Sequence, residues 1–340
     1  MNALRASAER LLHRIWYGDH WLSLLLIPLS WIVEWEVARR ASRRAPKGGT
    51  PSGALVWVVG GLTVGGTGKT PVLIALGEWL RDQGVSIGVI SRGYRGRLGK
   101  EAHIVSAADS PADVGDEPLL IQRRLNCPVV IGRDRAEALS AMVGHFSVSV
   151  VLSDDGLQHC GLPRDLEVVV LDAQRGLGNG RIIPAGPLRE PASRLASVDW
   201  VLERNSKDPN RCFEYKVSSL RQVSSGNTLS WSDWLAQWGS QPITAMTALG
   251  QPGQFFEMLA GQGLRVVGVA LPDHEAISLK QLESVNTDTV VITAKDAVKL
   301  GAIEENQIAS RIWVVEIETH LPSALLSRLA QALATVRITG

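Results

Sequence analysis

Apolar residues along the chain gather in short runs of strand length, separated by stretches with helical spacing. Ala54–Val59, Val85–Ile90, Pro128–Ile131, Ser147–Leu152 and Leu166–Leu171 are such runs, followed by Leu264–Ala270, Thr289–Thr293 and Ile312–Ile317. Between them the periodicity predicts helices over Thr70–Gln83, Asp134–Val143, Gln251–Gln262, Ala294–Leu300 and Pro322–Ala334. Strands rich in Val and Ile that alternate with helices predict an α/β fold with a mostly parallel sheet covered on both faces. Residues 205–245 interrupt this rhythm with polar, Ser-, Asn- and Trp-containing sequence and no helical period, which predicts a β-rich connector. The expected organisation is a helical segment over 1–47, a core domain over 48–204, the connector over 205–245 and a smaller α/β domain over 246–340.

The first segment has its own pattern. Leu11, Leu12, Ile15 and Trp16 recur at helical spacing, and Trp21–Val33 is apolar but for Ser23, Pro28 and Ser30. As a helix that run reaches about 20 Å, short of a hydrocarbon core of about 30 Å. A signal peptide fits poorly, because the run starts late and EWEVARRASRR follows it in place of a small-residue cleavage site. Trp16, Trp21, Trp31 and Trp35 bracket it, and Arg39, Arg40, Arg43, Arg44 and Lys47 follow. Aromatic rings at headgroup depth and cations against anionic lipid predict a helix that lies on a membrane surface. An apolar hairpin packed onto the body is the alternative. A Gly/Pro/Ser stretch, Lys47–Gly53, separates this segment from the first strand.

Charge sharpens the contrast. The 340 residues carry a net charge of only +1, divided into +4 over residues 1–47 and −3 over the rest. A body without a basic surplus is poorly suited to neutralise nucleic-acid phosphates. Cys127, Cys160 and Cys212 are odd in number and widely spaced, so neither a disulfide framework nor a zinc site is expected. A reducing compartment follows.

The sharpest chemical signal is Val58–Pro71, where a buried strand runs into a glycine-rich turn and then a helix opened by Gly68-Lys69-Thr70. Such a turn lets backbone N–H groups converge on phosphate oxygens at a helix N-terminus. Lys69 is placed to reach β/γ-phosphates and Thr70 to hold Mg²⁺. Thr63 stands where the phosphate-loop pattern has its first glycine, with Gly65, Gly66 and Gly68 remaining. Ser147–Asp155 ends a strand on two acids, the place where this fold carries the carboxylate that orders Mg²⁺; spacing does not separate Asp154 from Asp155. Asp116 and Glu117 stand between Gly115 and Pro118, equally suited to a site and to a helix start. Arg175–Pro191 is an irregular Gly/Pro-rich stretch whose arginines suit phosphate, or solvent. His274 follows a strand in Pro272-Asp273-His274 and suits proton transfer. Thr293-Ala-Lys-Asp296 lacks the residue between Lys and Asp that a guanine-specificity motif requires, so a GTPase loses its main support.

Together TVGGTGKTP, SRGY (Ser91–Tyr94), GDEP (Gly115–Pro118), DDGLQH (Asp154–His159), GNG…PAGPLREP (Gly178–Pro191), PDH (Pro272–His274) and TAKDAVK (Thr293–Lys299) resemble, in order, the tetraacyldisaccharide 4'-kinases. These enzymes phosphorylate the lipid A precursor of Gram-negative bacteria. The resemblance, over about residues 10 to 335, implies a P-loop NTPase-like core and transfer of the ATP γ-phosphate to the 4'-hydroxyl of an acylated glucosamine disaccharide 1-phosphate. The cytoplasmic face of the inner membrane, ATP with Mg²⁺, a lipid partner and no obligatory protein partner are also implied.

By the same resemblance Thr63, Val64, Gly65, Gly66, Thr67, Gly68, Lys69 and Thr70 cradle ATP. Asp116 takes the hydroxyl proton, partnered by His274, and Arg189 stabilises the transferring phosphate. Thr70, Glu117, Asp154 and Asp155 form the metal and water shell, and Arg92, Tyr94, Asn179 and Glu190 meet the substrate. Arg95-Gly96-Arg97 after SRGY and Glu275 after PDH depart from the family's usual residues and bear on substrate contacts alone. The rival classes are a nucleotide-dependent switch or metallochaperone, which would share the glycine-rich loop, and a membrane scaffold with a vestigial one.

Overall fold

A computed structural model describes residues 11–18, 20–44, 50, 53–300 and 307–339. Most of the expected separator Lys47–Gly53 lies outside the described residues. Residues 11–17 are helical, followed by helices Leu22–Leu25 and Ile27–Ala41. The helix thus continues past the apolar run through Ala38-Arg39-Arg40, all residues with good helix propensity.

Thirteen strands form one sheet: β1 (Leu55–Gly60), β2 (Ile87–Ser91), β3 (His103–Ile104), β4 (Val129–Ile131), β5 (Val150–Asp154), β6 (Leu166–Asp172), β7 (Trp200–Arg204), β8 (Cys212–Gln222), β9 (Thr228–Ser230), β10 (Ile243–Thr247), β11 (Val266–Ala270), β12 (Val290–Thr293) and β13 (Ile312–His320). Their order is β11-β10-β12-β13-β8-β7-β6-β1-β5-β2-β4-β3, with β9 on β8. Pairings are parallel except β3–β4, β8–β9 and β8–β13. The expected α/β architecture is present.

Burial follows the two-residue period of a strand. Trp57 and Val59 of β1 pack with Val72, Leu76, Leu119 and, from the C-terminal helix Ser323–Thr339, Leu325 and Leu329. Val56 and Val58 point the other way, onto Leu139 and Met142. With both faces covered, β5 and β6 are buried at every position, so Val150–Leu152 and Val168–Leu171 are uninterrupted apolar stretches, and the buried Glu167 is ion-paired with Arg164 and Arg194.

The junction between halves differs from the expected layout. β8 pairs with β7 at one end and along β13 on its other side. The boundary expected at 245/246 falls inside β10, and helix Ser323–Thr339 packs back on the first half's core. Within 205–245 lies helix Trp231–Trp238, capped by the Ser230 hydroxyl, which accepts from the Asp233 N–H at 3.2 Å. Its signal was Trp at 231, 234 and 238, a helical spacing obscured by the polar residues between; the three rings stack in series and pack against Trp313.

Candidate active site

Loops that follow β1, β2 and β5 in one half, and β10, β11 and β12 in the other, line a single cleft of about 1050 Å³. Lys69, Thr70, Arg92, Tyr94, Glu117, Asp154, Asp155, Arg189, Glu190 and His274 all contribute to its wall, as do Val64 to Gly68. An extension of the cleft reaches Leu12, Trp16, Val33 and Val37 of the N-terminal helices. Reactive and apolar walls therefore share one cavity.

The glycine-rich loop connects β1 to helix Lys69–Asp82, with Gly68 at the N-cap in the left-handed region (φ +92°). A Cβ at Gly68 would stand 2.1 Å from the Tyr215 hydroxyl, so both backbone and space demand glycine. The segment 182–189 is stitched onto this loop. Val64 N–H donates to Pro187 O at 2.9 Å, Arg189 N–H donates to Leu62 O at 2.7 Å, and Thr63 bridges Leu188. These bonds carry the Arg189 guanidinium to 2.7 Å from Asp155 Oδ2, with Lys69 Nζ 3.7 Å from Asp155 Oδ1. Burial disfavours the Asp155 charge, yet Lys69 and Arg189 outweigh it and hold the carboxyl below its ordinary range.

Asp154 ends β5 beneath the Ser91 hydroxyl, which donates to its Oδ2 at 3.2 Å. Burial, reinforced by Glu117 and Asp155, raises its pKa. The folded protein therefore retains a proton that the unfolded chain releases, and this group's contribution to stability falls as pH rises from about 4 towards neutrality. Asp154→Asn is expected to raise the Tm of the ligand-free protein at pH 8 by roughly 2–4 °C, and less at pH 5. Melting curves at the two pH values check this; equal shifts at both would count against it. Asp154 Oδ1 and Asp155 Oδ1 are buried without a hydrogen-bond partner. Two such oxygens, in a cleft that Thr70 also lines, fit a hard divalent cation that takes its remaining ligands from phosphates and water.

Across the cleft Asp116 and Glu117 open helix Asp116–Leu125, as the helix-start reading expects; Glu117 lines the cleft and Asp116 lies behind His274. Gly115 at φ +92° permits close passage of the SRGY loop, since a Cβ there would lie 2.8 Å from Tyr94 O. Asp116 Oδ2 is 2.8 Å from His274 Nδ1, a contact between residues 158 positions apart. Lys295 Nζ is 3.9 Å and Lys299 Nζ 4.0 Å from the same oxygen, and Lys295 also donates to Glu117 Oε1 at 2.8 Å. Burial alone would raise the Asp116 pKa; the His274 hydrogen bond and the two ammonium groups reverse that and lower it. Arg95 donates to Asp273 O at 2.8 Å, clasping the SRGY loop to the PDH turn, while Glu275 accepts from Gln281 Nε2 at 3.2 Å within its own turn. The two departures from the family's usual residues are thus occupied by protein contacts.

Three residues expected to meet a ligand are absent from the cleft wall: Asp116, which sits behind His274, and Thr63 and Asn179. Thr63 is buried in its bridge to Leu188, and its side chain packs inside the loop. Asn179 donates to Ile15 O at 3.0 Å and Ala185 O at 2.8 Å and accepts from Arg181 N–H at 3.1 Å, which saturates its amide inside the protein. Other residues were missed by the sequence reading. Lys295 and Lys299 sit one helical turn apart in TAKDAVK, and that spacing was the available signal. Gln158, inside DDGLQH, donates to Glu190 Oε1 at 2.9 Å. Gln251, whose Nε2 donates to Gly66 O at 2.8 Å, carried no signal.

The chain is similar to several known proteins. The family model described as tetraacyldisaccharide-1-P 4'-kinase matches residues 22–334. A tetraacyldisaccharide 4'-kinase of Alcanivorax borkumensis is 40% identical over 319 residues, covering 92% of this chain and 94% of that one. One from Hahella chejuensis is 38% identical over 334 residues, with 95% and 96% covered. The crystal structure of Aquifex aeolicus LpxK in complex with ATP superimposes with a TM-score of 0.73 at 25% identity, over 93% of this chain and 99% of that one.

Proposed function

The chain belongs to the tetraacyldisaccharide 4'-kinase family, and from that premise we propose how its own residues carry the reaction. It is a kinase that transfers the γ-phosphate of ATP to the 4'-hydroxyl of a tetraacylated glucosamine disaccharide 1-phosphate. The observation that carries this reading is the single cleft, with a phosphate loop and Arg189 on one wall and His274, backed by Asp116, on the other.

Phosphoryl transfer asks the protein for position and charge compensation more than for covalent chemistry. Backbone N–H groups of Gly65 to Gly68 hold phosphate oxygens, the Val64 N–H being taken by Pro187 O, while Lys69 and Arg189 face the γ-phosphate. Thr70, Asp154 and Asp155 would hold Mg²⁺, which when bound offsets negative charge on the phosphate oxygens. The Asp116–His274 pair removes the hydroxyl proton. His274 lines the cleft and Asp116 lies behind it, so the pair accepts the proton as a unit, with Lys295 and Lys299 balancing the carboxylate. Glu117, ion-paired with Lys295, remains within reach of the metal's water shell. Arg92 and Tyr94 face the sugar.

The lipid arrives along the N-terminal helices. Trp21, Leu24, Leu25, Leu29, Trp31, Ile32 and Trp35, on or beside helices Leu22–Leu25 and Ile27–Ala41, are each more than half exposed. No helix among the described residues is long and apolar enough to cross a membrane. A surface-seated segment on the cytoplasmic face of the inner membrane fits both facts and the apolar extension of the cleft. Replacing Trp21, Trp31 and Trp35 by Ser together is expected to reduce co-sedimentation with anionic vesicles about tenfold. Unchanged binding would favour the packed hairpin.

The direct test of function supplies γ-labelled ATP, Mg²⁺ and the acylated disaccharide 1-phosphate in detergent. Label on the lipid is the expected result. ATP consumption that is independent of lipid would point to a nucleotide-dependent switch.

A further inference from the structure

The loop that delivers Arg189 is also the cradle of the N-terminal helices. Trp16 Nε1 donates to Pro184 O at 3.0 Å, and Arg181 Nη1 donates to Ser23 Oγ at 2.7 Å. Ser30 Oγ donates to Ile182 O at 2.7 Å and accepts from Ala185 N–H at 3.1 Å. A tether that merely kept the enzyme near lipid would need none of these bonds.

The last contact leads into the phosphate site. Arg44, just past helix Ile27–Ala41, places Nη2 2.9 Å from Glu190 Oε2, with side chains only 21% and 4% exposed. Arg194 Nε also lies 3.4 Å from that oxygen. Two cations on Oε2 fix the carboxylate so that Oε1 accepts from Gln158 Nε2 at 2.9 Å. A carboxylate can only accept, so Glu190, with the longer contact from the same Nε2 to Gly61 O at 3.4 Å, orients the Gln158 amide. Gln158 Oε1 is thereby turned towards Arg189 Nη1 at 3.4 Å, the same nitrogen that is 2.7 Å from Asp155 Oδ2.

We infer that Arg44 is a positioning residue: through Glu190 and Gln158 it holds Arg189 in its phosphate-facing geometry, so the lipid-seated helices help assemble the transfer site as well as anchor it. This rests on the reading of Arg189 as a phosphate-stabilising group. A charge-assisted hydrogen bond between buried groups sets the scale of the effect.

The test is a double-mutant cycle of Arg44→Met and Arg189→Met, with labelled ATP and the lipid disaccharide in detergent. Arg44→Met is expected to lower kcat roughly 10- to 100-fold with the KM values little changed. Arg44→Lys should recover part of the rate, and the double variant should be no slower than Arg189→Met. Arg44, expected from its position to face lipid, is instead ion-paired inward to Glu190, so vesicle binding should stay near the wild-type level. Multiplicative losses in the double variant, an unchanged kcat, or a raised KM for lipid alone would each overturn the inference. Where Arg44→Met melts early, Glu190→Gln takes its place in the cycle with the same expectations. A wild-type enzyme that leaves the lipid unlabelled would refute the kinase reading itself, whereas a labelling wild type with additive variants refutes only the relay.

Discussion

Asp116→Asn is expected to lower kcat by about 10²- to 10⁴-fold while the KM for ATP changes little. The amide keeps the shape of the carboxylate but loses the charge that His274, Lys295 and Lys299 surround at 2.8, 3.9 and 4.0 Å. The amide oxygen can still accept from the imidazole, but without the negative charge nothing offsets the positive charge that develops when His274 takes the hydroxyl proton. Because the pair acts as a unit, adding His274→Gln should slow the enzyme little further. Steady-state kinetics of the two single variants and the double one, with melting curves to show that the fold persists, check this. Turnover of Asp116→Asn within a few-fold of wild type would remove the pair from proton transfer. The lowered pKa of Asp116 adds a sign: the carboxylate is already ionised well below pH 5, so its own protonation does not limit kcat between pH 5 and 8.

Lys69→Met is the second large effect, with a different signature. Lys69 opens the helix after the glycine-rich loop and sits 3.7 Å from Asp155, which it shares with Arg189. Loss of its charge weakens the compensation of phosphate in both ground and transition states. A fall in kcat of about 10²- to 10³-fold is expected, together with a raised KM for ATP. Nucleotide binding and turnover measured on the same preparation check this. A variant that loses turnover but binds ATP as tightly as wild type would confine Lys69 to the transition state, contrary to the expectation. The contrast with Asp116→Asn separates the two walls of the cleft.

Much of this was legible in the chain. The strand–loop–helix order of Val58–Pro71 is a local property, and the observed β1 and helix Lys69–Asp82 follow it within a residue or so at each end. Asp154 and Asp155 were expected at the end of a strand, where β5 places them. Helix Trp231–Trp238 and the long β8 were not legible, because their apolar positions face a core made partly by distant residues such as Trp313 and Val315. Position 245/246 lies within β10, and the strand pairing there and the return of Leu325 and Leu329 to the first core are contacts between segments remote in sequence.

The sequence by itself determined many of the local elements: the Val- and Ile-rich strands β1, β2, β5 and β6, where the phosphate loop turns, and that Asp154 ends a strand. Backbone conformation, side-chain period and glycine's freedom act within a few residues, so composition and spacing carry them. Tertiary structure alone decided who meets whom. It joined Asp116 to His274 across 158 positions and set Lys295 and Lys299 beside them. It also turned Asn179 and Thr63 inward and linked Arg44 to Glu190. Those pairings are fixed by the packing of whole elements, in which each hydrogen bond and ion pair depends on burial supplied by the rest of the chain.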